Sequence, residues 1–195
     1  MDPVGLGHVQ SLPHPGGNFT GFTFIDPELI GKWMELLGDV APGLTQAGLL
    51  FNPSLMTAYQ NFVKEIQTSQ GAGRVSLKPL PVGATDEMQA AITELAGTPG
   101  GGLMIGPDPF NQVHLKQIAD LASKHRLPTI SVYRSFTAEG GLMTYGPDTA
   151  DVFRRSAAYV NRILKGENRL TCRCNNQPSL SSSSISRRRK RWVWP

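Results

Sequence analysis

Residues 127–148, LPTISVYRSFTAEGGLMTYGPD, decide the fold of this chain. Pro128 lacks a backbone N–H and disfavours helical geometry in the residue before it, so any preceding helix ends here. Two short runs, Thr129–Tyr133 and Leu142–Tyr145, then have the largely apolar pattern of strands. Asp148 follows the second run and has a side chain suited to capping a helix N-terminus. The stretch therefore predicts two strands, each leading into a loop, and a helix after the second.

The same alternation of strand and helix extends back to residue 25. Ala47–Phe51 and Leu103–Ile105 are almost wholly apolar, which is typical of parallel strands covered on both faces, and Val75–Leu80 is a weaker strand candidate. Apolar residues at helical spacing predict helices at about 27–40, 55–66, 85–95, 111–125 and 149–165. The residues predicted to face inward on the helix at 111–125 are Val113, Ile118, Leu121 and Ala122. On the helix at 149–165 they are Val152, Phe153, Val160, Ile163 and Leu164. We therefore predict an α/β fold with a Rossmann-like, doubly wound parallel sheet.

The net charge of +4 is unevenly distributed. Residues 169–195 hold seven of the 19 basic residues and no acidic ones, which leaves 19 minus 7, or 12, basic residues against 15 acidic ones and a net charge of −3 elsewhere. Both cysteines, Cys172 and Cys174, lie in the same segment. Its end, RRRKRWVWP, combines positive charge with aromatic side chains, as nucleic-acid-binding segments do. The alternative is a disordered end, because serines and like charges bury too little apolar surface to offset chain entropy.

Residues that catalysis or metal binding would need are sparse. No cysteine precedes Cys172, so the body of the chain has no thiol nucleophile. The four histidines are not spaced as metal ligands, and the sequence has no GxSxG, GxGxxG or P-loop motif. Acidic residues occur singly, without a pair suited to acid–base chemistry. We therefore expect no catalytic residue, no metal and no cofactor, and a protein that is not an enzyme.

Polar side chains that follow the predicted strands favour a binding function instead. The carboxyl ends of parallel strands meet at one edge of a sheet, where the ligands of open α/β folds bind. Short polar groups at helix N-termini, together with two tyrosines, suit a small polar ligand such as a carboxylate. The candidate ligand-binding residues are Asn52, Ser54, Asp108, Tyr133, Arg134 and Tyr145. Alternatively, Asn52, Ser54 and Asp108 only cap helices, and Tyr133 belongs to the core.

Several longer segments match the pattern of one family. They are DPVGLG at 2–7, PGGNFTGF at 15–22, GKWMELLGDVAPGLTQAGLLFNP at 31–53, HRLPTISVYRSF at 125–136 and GGLMTYGPD at 140–148, the last followed by RRSAAYVNRILKG at 154–166. Over about residues 2–168, the chain resembles the uncharacterised ABC-transporter substrate-binding proteins, which have the type I periplasmic-binding-protein fold.

This resemblance implies two Rossmann-like lobes that close on a small, polar, amino-acid-like solute between them. It also implies transport, in which the solute is delivered to an ABC permease in the membrane. We expect no nucleic-acid partner and a monomeric binding protein. Family members are exported, which implies the periplasm. Residues 1–10 have neither the basic nor the apolar region of a signal peptide, so the chain as it stands is expected in the cytoplasm.

The family pattern divides the chain into four parts. We assign 1–24 to a remnant of the first lobe and hinge, 25–146 to the second lobe, 147–168 to a helix returning towards the first lobe, and 169–195 to a disordered basic tail. The chain is thus predicted to be a fragment, truncated at both ends. Since ligand contacts from both lobes favour closure, one lobe by itself is expected to bind weakly.

Two other functions are compatible with the same fold. A ligand-sensing effector domain of a transcription regulator would need a helix-turn-helix before residue 1. A small Rossmann-type enzyme would need a nucleotide-binding loop or a general base. Neither feature occurs in this sequence, so the solute-binding component of an ABC transporter is the preferred hypothesis.

We predict that residues 169–195 are an out-of-frame translation, which comes from a frameshifted gene or from a sequencing error. The codons ACC TGC CGG TGC AAC AAC CAA would encode residues 171–177. Preceded by G and regrouped one nucleotide earlier, they encode D-L-P-V-Q-Q, which resembles the family's own continuation after the ILKGE motif. Sequencing the genomic locus tests this hypothesis. A single-nucleotide shift should restore the family's pattern, whereas an intact reading frame with other codons would contradict it.

Overall fold

A computed structural model of the chain describes residues 3–4, 7–22, 27–54, 75–166 and 186–187. The chain divides into two units. The sheet unit comprises Pro27–Gly146 and Ile185–Pro195, and the terminal unit comprises Met1–Asp26 and Pro147–Ser184. The four-part division drawn from the sequence stays a prediction.

The described residues of the sheet unit form one mixed sheet. Its strands are β1 Gln46–Phe51, β2 Ser76–Pro81, β3 Gly101–Ile105, β4 Thr129–Ser131, β5 Met143–Thr144 and β6 Ser186–Arg187. The strand order is β2-β1-β3-β4-β5-β6, in which β1 to β5 are parallel and β6 pairs antiparallel with β5. The predicted α/β class and parallel sheet are therefore confirmed.

Helices connect most of these strands. In the sheet unit, the described helices are α1 Pro27–Val40, α2 Thr85–Ala96, α3 Pro109–Val113, α4 Leu115–Lys124 and α5 Ser135–Ala138. The described helix of the terminal unit is α6 Thr149–Leu164. Strand–helix–strand connections between parallel strands produce the predicted alternation.

The sheet is covered on both faces. Leu103 and Ile105 of β3 belong to a buried cluster with side chains of α2 and α4, including Ile92 and Ile118. Met104 lies between them in sequence and is also fully buried, although successive strand residues point to opposite faces. The apolar composition of β3 therefore reflects burial on both sides, as predicted.

β2 lies at one edge of the sheet, and its sequence suits that position. Pro79 and Pro81 have no N–H to donate to a second neighbour, and prolines within sheets are confined to such edges. Lys78 forms an ion pair with Glu94 of α2, with 2.6 Å between Nζ and Oε1. Prolines and a lysine at a sheet edge disfavour pairing with another chain.

The helix predicted at 111–125 is wrong in one respect, because the structure divides it into α3 and α4. His114 separates them with φ −97° and ψ 10°, and this departure from helical geometry changes the direction of the side chains that follow. Ile118 and Ala122 of α4 are buried as predicted, whereas Val113 of α3 is 79% exposed. The loop predicted after β4 likewise contains the short helix α5.

In the terminal unit, α6 begins at the predicted cap. Oδ1 of Asp148 accepts from two backbone N–H groups of the first turn, at 2.9 and 3.3 Å. Further along, the ring of Tyr159 packs edge-to-face on that of Phe22, with 5.1 Å between centroids. The guanidinium of Arg155 lies over the same Phe22 ring at 5.2 Å. These contacts join the N-terminal segment to α6.

The inward face predicted for α6 is only partly correct. Val152 is 5% exposed, but Phe153, Val160 and Leu164 are 75%, 54% and 81% exposed. Successive helical residues are about 100° apart, so Phe153 and Val152 lie on neighbouring strips of the helix. A broad apolar pattern predicted one wide buried face, whereas Val152 is buried and Ile163 only half-buried.

Some expectations concern parts of the chain beyond the described ranges. These are the helix predicted at about 55–66 and nearly all of the tail. Ser186 and Arg187 are described, and they pair with Thr144 and Met143. For the rest of the tail, disorder stays a prediction.

We predict that Ile118→Ala lowers the free energy of unfolding by about 2–5 kcal/mol, because it leaves a cavity in a fully buried cluster. Val113→Ala should change it by less than about 0.5 kcal/mol, because that side chain is mostly exposed. Urea denaturation followed by circular dichroism measures both changes. Equal losses in the two variants would mean that Val113 is buried in one continuous helix.

Candidate functional site

The carboxyl ends of β1, β3, β4 and β5 lie at one edge of the sheet because these strands are parallel. The residues that follow these ends form what we call the carboxyl rim: Asn52 and Ser54 after β1, Asp108 after β3, Tyr133 and Arg134 after β4, and Tyr145 after β5. These are the six residues predicted to bind a ligand. Their role in binding stays a prediction, and their environments differ widely.

Asp108 is the most deeply buried residue of the carboxyl rim, with 1% of its surface exposed. Its Oδ1 accepts from the backbone N–H of Asn111 at 2.8 Å, which caps α3. Its Oδ2 accepts from the backbone N–H of Asn52 at 3.1 Å and from Nδ2 of Asn111 at 2.8 Å. Both carboxyl oxygens therefore bind protein groups, and one of them joins the end of β1 to the end of β3.

These donors compensate for the removal of water from the carboxyl group. Burial raises the pKa of Asp108 above its ordinary value of 3.8, and hydrogen bonds from backbone N–H groups, led by that of Asn111, oppose the rise. Burying a polar or charged group costs free energy unless protein donors replace the lost water. The carboxyl of Asp108 is thus a connection between strands and not a group exposed to a ligand.

Asn111 completes this network, and the sequence analysis misses it. The residue is fully buried, and Nδ2 also donates to the carbonyls of Leu50 at 2.9 Å and Gly106 at 3.0 Å. Among the described residues, its Oδ1 has no hydrogen-bond partner. The sequence signal is a helix start at Asp108-Pro109, which does not reveal that an asparagine in the first turn reaches the main chain of β1.

The hydroxyl of Tyr133 connects a third strand to the same network. It donates to the backbone carbonyl of Asp108, with 3.0 Å between the oxygens. Burial, with a smaller effect of the Asp108 charge, raises the pKa of this phenol above its ordinary value of 10.0. The hydroxyl therefore stays protonated at neutral pH and remains a donor. The residue after β4 is thereby fixed to the residue after β3.

Asn52 forms a local turn at the end of β1. Its Oδ1 accepts from the N–H of Ser54 at 2.9 Å, an arrangement that asparagine favours in turns. Asn52 itself is buried, whereas Ser54 is exposed. The loop therefore offers an accessible serine hydroxyl at a position fixed by the asparagine.

Arg134 and Tyr145 are more accessible than Asp108 and Asn52. Arg134 is exposed at the N-terminus of α5. Tyr145 is half-buried, and its backbone donates to the carbonyl of Ser131 at 2.9 Å and accepts from Nε1 of Trp33 at 2.8 Å. Trp33 is fully buried, so its indole holds the main chain after β5 in place. Together with Ser54, these two residues carry side chains that a ligand could reach.

Ser131 and Thr144 form a buried pair that the sequence analysis also misses. They are register partners in β4 and β5. Oγ of Ser131 accepts from the N–H of Tyr133 at 3.3 Å, whereas Oγ1 of Thr144 has no hydrogen-bond partner within the described ranges. An unpaired buried hydroxyl is uncommon in folded proteins.

A cavity of about 390 Å³ lies at the opposite edge of the sheet. It is lined by residues of the segments 41–44, 96–101 and 125–128, which precede strands. No residue of the carboxyl rim lines it. The rim is the better candidate for a ligand site because it gathers polar side chains from the ends of several parallel strands.

The described part of the chain gives no sign of a metal centre or a membrane span. No group of three or more His, Cys, Asp or Glu in it could hold a metal ion. Within the same ranges, no helix combines the length and apolar character needed to cross a membrane.

Comparison with known proteins finds sequence relatives over most of the length of this chain. A family model for the ABC transporter substrate binding protein matches residues 1–181. A tyrosine-binding protein of Clostridioides difficile (strain R20291) is 23% identical over 172 residues, which are 85% of this chain and 47% of that protein.

Two solved structures share the fold at low sequence identity. A conserved domain protein of Vibrio cholerae has a TM-score of 0.79 and 20% identity, and the match covers 95% of this chain and 60% of that one. An ABC domain in complex with L-Trp from Streptococcus pneumonia has a TM-score of 0.79 and 19% identity, with 95% and 62% covered. The chain thus spans less than two thirds of the length of these relatives.

We predict that Tyr133→Phe lowers the free energy of unfolding by about 0.5–1.5 kcal/mol, because it removes the hydrogen bond to the Asp108 carbonyl. Tyr145→Phe is the matched control, since the hydrogen bonds described above for Tyr145 are made by its backbone. Its expected change is below about 0.5 kcal/mol. Urea denaturation measures both, and a greater loss in Tyr145→Phe would contradict this assignment.

Proposed function

Because the chain belongs to the family of ABC transporter substrate-binding proteins, we propose that its carboxyl rim binds a small amino-acid solute. The protein would be a non-catalytic component of an ABC transporter. The solute class is narrowed by two relatives: one is named a tyrosine-binding protein, and another was solved in complex with L-Trp. We therefore propose an aromatic amino acid as the solute.

The observation that carries this proposal is the gathering of accessible polar and aromatic side chains at one sheet edge. Ser54, Arg134 and Tyr145 follow three different parallel strands, and each is at least partly exposed. Their backbones are held by Asn52, by the start of α5 and by Trp33. Ligand sites in proteins typically combine a few fixed polar groups with apolar or aromatic surface.

The chemistry of these side chains matches that of an aromatic amino acid. A guanidinium such as that of Arg134 binds a carboxylate through paired hydrogen bonds, and the Ser54 hydroxyl can donate to the same group. The ring of Tyr145 offers a surface for an aromatic side chain.

We propose the transport partner and the location on the basis of the family and not of the geometry. We place the protein outside the cytoplasm, in the periplasm, where such a protein would hand its solute to an ABC permease in the membrane. Neither role requires a metal, a cofactor or a catalytic residue. The Asn52, Ser54, Tyr133, Arg134 and Tyr145 region is the surface where the solute would be held.

NMR titration of the ¹⁵N-labelled chain tests the solute proposal, because it detects binding even at millimolar affinity. Addition of L-tyrosine or L-tryptophan should shift the amide signals of the carboxyl rim, and addition of L-lysine should shift them less. Arg134→Gln should weaken binding by about tenfold or more, because a hydrogen bond to a charged group is worth about 1.5–3 kcal/mol and about 1.4 kcal/mol corresponds to a tenfold change in affinity.

Arg126→Gln is the matched control, because Arg126 is an exposed arginine beside the cavity at the opposite edge of the sheet. This variant should bind the amino acids as the unaltered chain does. Shifts confined to the segments 96–101 and 125–128 would place the solute in that cavity and contradict the proposal. An absence of shifts with both aromatic amino acids would contradict it as well.

A further inference from the structure

Three strand ends of the carboxyl rim converge on one residue that a solute cannot reach. The side chain of Asp108 binds the N–H of Asn52 after β1, and its carbonyl accepts the hydroxyl of Tyr133 after β4. Only 1% of Asp108 is exposed. Its contacts therefore determine where Asn52 and Tyr133 stand relative to each other.

Asn111 gives this junction a fixed geometry. Its Nδ2 holds Oδ2 of Asp108 at 2.8 Å and the carbonyls of Leu50 and Gly106 at 2.9 and 3.0 Å. These two carbonyls belong to the ends of β1 and β3. The buried amide of Asn111 thus binds a carbonyl at the end of each of these two strands. The carboxylate of Asp108, which follows β3, binds the N–H of Asn52 after β1.

A purely structural cap would need fewer contacts. Capping of α3 uses only Oδ1 of Asp108, through the N–H of Asn111, whereas Oδ2 and the backbone carbonyl bind groups of other strands. Burying a carboxyl group costs free energy that a serine cap would avoid. The free-energy cost of burying the Asp108 carboxyl group is explained if the function of the rim requires fixed positions of Asn52 and Tyr133.

We infer that Asp108 and Asn111 are a buried positioning pair for the solute site, and that neither touches the solute. The inference rests on the proposed function of the carboxyl rim. Asp108 sets the separation between the Asn52–Ser54 turn and the Tyr133–Arg134 segment, and Asn111 sets the orientation of the Asp108 carboxyl. Through them, the groups that contact the solute keep the spacing that one amino acid requires.

Asp108→Ser separates the cap from the positioning role. Serine is a good N-cap and can still accept from the N–H of Asn111, but it has no second oxygen to reach Asn52. We expect this variant to bind L-tyrosine and L-tryptophan about tenfold more weakly, because the groups that contact the solute lose their pre-organised spacing. Ile92→Ala is the control, because it creates a cavity in the buried cluster but removes no hydrogen bond of the junction, so it should destabilise the protein without weakening binding.

Two readouts without solute test the positioning directly. In Asp108→Ser, the amide signal of Asn52 should lose its protection against hydrogen exchange, and the ring signals of Tyr133 should change.

Tyr133→Phe combined with Asp108→Ser should lower affinity by less than the two separate losses together, because both variants disrupt one junction. If Asp108→Ser does not fold, Asp108→Asn serves instead, since a single amide oxygen cannot satisfy all three donors.

The outcomes distinguish this inference from the proposed function. If the unaltered chain binds neither aromatic amino acid, the proposed function fails, while loss of protection at Asn52 in the variant would still support the junction. If the unaltered chain binds and Asp108→Ser binds equally well, the positioning role is overturned. Unchanged Asn52 and Tyr133 signals in the variant would overturn it too. If Ile92→Ala lowered the affinity as much as Asp108→Ser does, the loss would be explained by general destabilisation, and the positioning role would be overturned as well.

Discussion

Parallel pairing of β1 to β5 is the constraint on which the rest of the sheet unit depends. Parallel neighbours need a crossover connection, so helices must lie over the sheet and its strands become apolar on both faces. The same pairing brings every carboxyl end to one edge. The polar turns after β1, β3, β4 and β5 are close together for this reason, although they are far apart in sequence.

The turns do not all expose their polar groups. Asp108 and Asn111 bury theirs and exchange contact with water for hydrogen bonds between strands. Such a network is stabilising only when nearly every donor and acceptor is satisfied. These buried residues therefore connect the strand ends of the rim to one another. The groups left for a ligand are on neighbouring residues such as Ser54 and Arg134.

Some parts of the site can be predicted from the sequence and others cannot. Strand ends followed by Asn52, Asp108 and Tyr133 are visible as apolar runs that stop at polar residues. Which of these side chains turn inward is not visible, because either direction is compatible with the same local pattern. Asn111 and Thr144 have no sequence signal of their own, since a polar residue in a first helical turn or a short strand is ordinary.

Local chemistry by itself determined the class of fold, the approximate positions of β1 to β5 along the chain, and the cap at Asp148. These depend on periodicity and turn residues within a few positions of each other. Only the tertiary structure decided that Val113 and Phe153 are exposed, that α3 and α4 are separate, and that Asp108 is buried within the rim. The physical reason is that burial depends on which distant segments pack together, and no short window of sequence contains both partners.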